Sequence, residues 1–104
     1  MVQAHPFREG HSPCAPKYMH GVEINCNFRD IGNVEKVEAF AAENGLMITC
    51  GVDYHHVAQD YFGGMLASEA CNSSADFVRE MREEGKTRVF LQEKTKEYVF
   101  LSKK

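Results

Sequence analysis

The apolar run LMITCGV at residues 46–52 decides the fold of this chain. It places apolar side chains on both faces, a pattern typical of a strand buried within a parallel sheet. A second run, GVEINC at residues 21–26, alternates apolar and polar residues and also predicts a strand. Between the two, Asn33 begins and Gly45 ends a segment whose apolar residues recur at helical spacing. A strand, a helix and a strand with short joints predict a βαβ unit with a right-handed crossover.

The start of the chain predicts a further strand beside this unit. Residues 2–5 form the end of that strand, and Pro6 closes it. Because the residue before a proline is biased towards extended geometry, His5 is expected to be extended at the strand end. Downstream, residues 53–71 predict a long connection with two glycines in its middle.

The last third of the chain predicts one helix and one hairpin. Ser73 or Ser74 caps the helix, and Gly85 ends it. Residues 87–92 and 97–101 predict two short strands that a charged turn joins. The inward face of the helix is expected to carry Phe77, Val78 and Met81.

Length and composition limit the class of protein. At 104 residues the chain predicts a single domain, and its 43% hydrophobic content suffices for a core. A net charge of −3 argues against a nucleic-acid-binding face. The sequence contains neither an apolar run long enough to cross a bilayer nor a recognisable signal peptide, so we expect a cytoplasmic protein without a membrane partner. The four cysteines form no C-x-x-C pair, which favours reduced thiols over a zinc ribbon.

Candidate chemistry gathers at two predicted strand ends. Asp53 and His55 follow the 46–52 strand, and His5 follows the first strand. In parallel α/β sheets functional groups gather at the carboxyl ends of strands, so these three side chains predict a metal site. The alternative is that each histidine merely caps a strand through a hydrogen bond. Arg8 is a candidate for holding a phosphate oxygen, with an ordinary surface arginine as its alternative.

Four further polar residues lie near these candidates in the sequence. Glu23 and Asn25 share one face of their strand, from which they can reach the same cavity. The alternative is that Glu23 only accepts backbone hydrogen bonds near the strand end. His11 and His20 fall in the loop after Pro6 and are expected to be solvated.

The motifs A-H-P-F-R, G-V-E-I-N and T-x-G-V-D-Y-H, in this order around a helix, resemble those of the PHP superfamily, named after polymerases and histidinol phosphatases. Residues 1–85 resemble the C-terminal half of a PHP domain. Residues 86–104 are expected to form a C-terminal hairpin after this part. The resemblance implies an α/β fold that is part of a (β/α) barrel. It also implies metal-dependent hydrolysis of phosphate esters.

Within this resemblance His5, Asp53 and His55 correspond to metal ligands, and Val52 stands where the family usually has serine. The implied cofactor is a divalent ion: zinc, manganese or iron. The family's H-x-H pair has no counterpart here, so we expect a C-terminal fragment that is inactive alone. The alternative is a non-catalytic remnant or assembly module that binds one metal or none. Either way half a barrel exposes sheet edges, which predicts self-association.

Overall fold

The described part of the chain forms two three-stranded sheets and two α-helices. A computed structural model describes residues 1–25, 31–55, 62–83, 88–92 and 98–100. The parallel sheet is made of β1 (Val2–Gln3), β2 (Gly21–Asn25) and β3 (Met47–Gly51), in that spatial order. The helix α1 (Val34–Asn44) connects β2 to β3, so the predicted βαβ unit is confirmed.

The register of the parallel sheet brings its three carboxyl ends to one edge. Val2 lies opposite Gly21, which lies opposite Met47. The strand β1 is shorter than predicted, because it ends at Gln3 and the chain bends at Ala4. The segments that follow β1 and β3 therefore leave the sheet at the same edge, on either side of β2.

The helix α1 begins and ends where the sequence predicts, although its first turn is held differently. Gly45 adopts the left-handed conformation (φ 63°), and its N–H bonds to the carbonyl of Ala41. Among the described residues, none donates a capping hydrogen bond to the Asn33 side chain, so the predicted side-chain cap is wrong. Instead Asn33 Nδ2 donates to the carbonyl of Phe7 at 3.1 Å. This contact attaches the start of α1 to the loop after β1.

The core lies between α1 and the parallel sheet. Within the described part of the chain, its buried apolar residues are Met19, Val22, Ile24, Val37 and Ala41. Val22 and Ile24 of β2 are almost fully buried, because β2 is the central strand of the parallel sheet. This core holds the framework from which the loops at the carboxyl edge extend.

The antiparallel sheet consists of β4 (Phe62–Leu66), β5 (Arg88–Gln92) and β6 (Tyr98–Phe100). Pairing between β5 and β6 confirms the C-terminal hairpin. The strand β4 falls inside the connection predicted without structure, so that prediction is wrong. Glycine has a low strand propensity, yet Gly63 and Gly64 pair with β5. Closure into a barrel stays a prediction.

The helix α2 (Ser74–Arg82) begins as predicted, with Ser73 Oγ accepting a hydrogen bond from Asp76 N. The inward placement of Val78 is wrong, because 45% of this residue is exposed. Glu80 is buried instead, and its carboxylate accepts hydrogen bonds from the Ser68 amide and hydroxyl. The predicted end at Gly85 lies outside the described residues. Among those described, neither helix is long and apolar enough to cross a membrane.

Candidate functional site at the carboxyl edge of the parallel sheet

His5 and Asp53 occupy corresponding places after two strands of the parallel sheet. Each lies two residues beyond its strand, β1 for His5 and β3 for Asp53. Both have a positive φ, 28° for His5 and 50° for Asp53, and they are the two non-glycine residues with this feature in the described ranges. Such a conformation costs about 1–3 kcal/mol and occurs preferentially at functional sites. The extended geometry predicted for His5 is therefore wrong.

Arg8 connects the two loops. Its Nη1 donates a hydrogen bond to Asp53 Oδ2 at 2.7 Å, and the two side chains are 18% and 25% exposed. The Arg8 guanidinium holds the pKa of Asp53 below its ordinary value, an effect that partial burial of the carboxyl opposes. His55, the charge of Arg8 and His5 lower this pKa further. Asp53 is thus a carboxylate at neutral pH.

His55 lies against Asp53, as the sequence predicts, but the backbone conformation that brings them together differs from the predicted one. Its Nδ1 is 2.6 Å from the carbonyl oxygen of Asp53 and 3.4 Å from Oδ1. The prediction assumed alternation along an extended strand, whereas β3 ends at Gly51 and the left-handed Asp53 turns the chain. The imidazole is 69% exposed, so solvent or a bound group can reach it.

Glu23 lies between the two loops on the central strand β2. Its Oε2 accepts hydrogen bonds from the backbone N of His5 and from Asn25 Nδ2, both at 3.1 Å. Its Oε1 occupies the space that a side chain at Gly51 would fill. Glu23 and Asn25 both line a small cavity beside His5, as expected. Glu23 also accepts a backbone hydrogen bond, which was the alternative expectation for this residue.

The cavity beside His5 has a volume of about 10 Å³. That is room for about one water molecule. The Nδ1 atom of His5 is buried and has no hydrogen-bond partner among the described residues. A buried ring nitrogen without a hydrogen-bond partner is energetically costly. A metal-bound histidine usually donates its other ring N–H to a carboxylate, a backbone carbonyl or a water molecule. The fixed backbone of His5 suits a ligand role for the ring, whereas its Nδ1 has no acceptor in the described structure to support that role.

The donor chemistry of these residues fits part of a metal site. Imidazole and carboxylate suit zinc, iron and manganese. Arg8 already binds one oxygen of Asp53, and no three His, Cys, Asp or Glu side chains within the described ranges are grouped to hold an ion. The structure thus places Arg8 and His55 in contact with Asp53. His5 contributes to the lowering of the Asp53 pKa.

One neighbour was not expected from the sequence. The ring of His11, predicted only to be solvated, lies beside the ring of His5. His11 is indeed exposed. Its position depends on a turn between Arg8 and His11. The glycine that precedes His11 was the available signal. His56, which on an extended segment would face away from His55 and is expected to be exposed, lies outside the described residues.

Comparison of the chain with protein-family models, with curated proteins and with solved structures finds no match.

Proposed function

We propose that this chain supplies part of the site of a PHP-like metal-dependent phosphoesterase. The observation that carries the proposal is the contact between Arg8 and Asp53, which joins the loops after β1 and β3. It supports a shared site at the carboxyl edge of a parallel sheet, where functional groups of such folds gather. The proposal also rests on the order of the motifs around His5 and Asp53.

Each residue has a distinct role in this proposal. His5, Asp53 and His55 would hold a divalent ion, zinc, manganese or iron. A bound ion lowers the pKa of water and neutralises the charge of a phosphate ester. Arg8 would bind a phosphate oxygen, for which its guanidinium geometry is suited. The hydrogen bond to Asp53 positions the Arg8 guanidinium for this phosphate-binding role.

The second candidate is a non-catalytic module that binds one metal ion or none. It is favoured by the lack of a three-residue donor group in the described part of the chain. The ion pair with Arg8, which neutralises the charge of Asp53, favours it as well. Under either candidate we expect the purified chain to have little or no phosphatase activity. Rapid hydrolysis of phosphate esters with manganese or zinc would contradict that expectation.

Metal content separates the two candidates. The chain is purified without chelator, and bound metal is measured by mass spectrometry for the wild type, His5→Ala and Asp53→Ala. The matched control is Asp76→Ala, since Asp76 also forms an ion pair with an arginine, Arg79, but on α2. Metal lost in the first two variants and kept in the control supports the proposal. Equal metal in all four proteins removes the site.

We further propose that the protein works in the cytoplasm on a phosphate ester. Cys14 and Cys71 are free thiols in the described part of the chain. Free thiols are what a reducing compartment maintains.

A further inference from the structure

The rings of His5 and His11 are close neighbours. Their centroids are 5.1 Å apart, and their planes are inclined at 53°. Aromatic packing can give such a pair, but so can a shared metal ion. The contacts of the loop that carries His11 bear on the choice between these two explanations.

The separation agrees with two imidazoles on one ion. A zinc–nitrogen bond is about 2.0–2.1 Å, and the ring centre lies about 1 Å beyond the nitrogen. Each centroid is then about 3 Å from the ion, and a tetrahedral angle sets the two centroids about 5 Å apart. The observed centroid separation of 5.1 Å matches this value.

Backbone contacts on both sides of His11 hold it in this place. Its N–H donates to the carbonyl of Arg8 at 2.8 Å, and Gly10 supplies the positive φ of 82° that the turn requires. The next residues are attached to β1 through Gln3. The Gln3 Nε2 donates to the carbonyl of Ser12 at 3.0 Å, while its Oε1 accepts from Cys14 N at 2.8 Å.

His5 is held from the opposite side. Its backbone N–H donates to Glu23, and its Nδ1 is buried beside a cavity with room for about one water molecule. Nε2 is therefore the nitrogen of His5 that we assign to an ion. Preorganised ligands lose little conformational entropy on binding.

We propose that His11 is a metal ligand together with His5. The two imidazoles hold one divalent transition-metal ion of the zinc type, and in the described structure they form a pair without a third His, Cys, Asp or Glu ligand. Imidazole pairs select such ions over magnesium and calcium, which prefer oxygen ligands. The inference deepens the proposed function, on which it rests, and adds a ligand that the motif resemblance does not include.

The test is a calorimetric titration of the metal-free full-length chain with Zn²⁺. We expect one site, whose affinity falls at least about tenfold in His5→Ala and in His11→Ala, because even the loss of an indirect partner of a metal ligand costs 10–100-fold. His20→Ala is the matched control, since His20 is an exposed histidine of the same loop, and it should bind as the wild type does. Because His11 is exposed, its variant leaves the core intact.

A second readout identifies the nitrogen atoms. In NMR spectra of the ring nitrogens, Zn²⁺ should shift both His5 and His11 at one equivalent, with Nε2 as the bound atom of His5. Unchanged affinity in His11→Ala alongside weakened binding in His5→Ala and Asp53→Ala would overturn this inference and leave the proposed function standing. Weakened binding in both histidine variants with full affinity in Asp53→Ala would support the pair and contradict the proposed ligand set. A wild-type chain that binds no Zn²⁺ would contradict both.

Discussion

At the scale of single residues, the positive φ of His5 and Asp53 and the hydrogen bonds of Glu23 and Arg8 shape the loops at the carboxyl edge of the sheet. His5 and Asp53 could be found because each directly follows an apolar segment near a second polar candidate. Their left-handed backbones could not, since local preference, including the bias before Pro6, favours extended geometry. Long-range hydrogen bonds from His5 to Glu23 and from Arg8 to Asp53 override that preference.

The pair of Arg8 and Asp53 should show measurable coupling. In a double-mutant cycle with Arg8→Ala and Asp53→Ala, we expect a coupling free energy of about 1 kcal/mol, because the pair is charged and partly shielded from water. Urea denaturation of the four proteins gives this value, and the cycle removes any other contacts of Arg8. A coupling near zero would mean that the contact does not persist in solution.

The same pair predicts a dependence of stability on pH. The Arg8 guanidinium lowers the pKa of Asp53 in the folded state, so folding favours the carboxylate. This contribution is fully present above the unfolded-state pKa of about 3.9 and is lost as pH falls through the lowered folded-state pKa. Between about pH 7 and pH 3, the free energy of unfolding should therefore fall less in Asp53→Asn than in the wild type.

The control for that measurement is Glu43→Gln, which removes one negative charge at an exposed position of α1. Its pH dependence should follow that of the wild type. Identical acid sensitivity in Asp53→Asn and the wild type would show that the carboxylate gains nothing from Arg8 on folding.

At the scale of secondary structure, periodicity predicted the elements that depend on local patterns and missed those that depend on partners. The βαβ unit and the C-terminal hairpin follow from apolar spacing and turn residues. The strand β4 could not be predicted, because Gly63 and Gly64 have no strand preference of their own and are extended only by pairing with β5. Similarly, the burial of Glu80 could not be predicted, because it depends on two hydrogen bonds that Ser68 donates to the Glu80 carboxylate. Val78, which was expected to face inward, is exposed instead.

The close approach of β2 and β3 at Gly21 predicts a strong effect of an added methyl group. A Cβ at this position would lie 2.7 Å from the backbone oxygen of Met47, which cannot move without shifting the strand. We expect Gly21→Ala to lower the free energy of unfolding by about 1–3 kcal/mol. Gly32→Ala is the control, because a Cβ there meets no described atom within 4 Å. Equal stability of the two variants in urea would contradict this register.

The buried carboxylate of Glu80 predicts a local effect on α2. Glu80→Ala leaves the Ser68 amide and hydroxyl without their acceptor, which should cost about 1–3 kcal/mol. Hydrogen exchange at the Ser68 amide should accelerate accordingly. Glu83→Ala, at the exposed end of the same helix, should leave that exchange rate unchanged. Slow exchange at Ser68 in Glu80→Ala would show that another group protects this amide.

At the scale of the whole molecule, the described core is small and several apolar side chains face solvent. Exposed examples in the described segments are Val2, Tyr18, Leu66 and Val78. Among the described residues, β1 is an edge strand that pairs only with β2. Exposed edges and apolar patches favour association with another chain. The position of these surfaces could not be read from the sequence, because it depends on which faces the second sheet covers.

We therefore predict that the purified chain forms a dimer at micromolar concentration. Light scattering coupled to gel filtration measures the mass, and twice 11.8 kDa is the expected result. A mass of one chain across the micromolar range would contradict the prediction. Val78→Glu, which puts a charge on an exposed apolar position of α2, tests whether that helix takes part.

The carboxylate of Glu23 occupies the volume that a methyl group at Gly51 would need. The two positions are therefore tied together in evolution: a homologue with alanine at 51 should carry a shorter acid, such as aspartate, at 23. The shorter side chain would leave room for the methyl group, whereas alanine at 51 beside an unchanged Glu23 would force the end of that side chain to move.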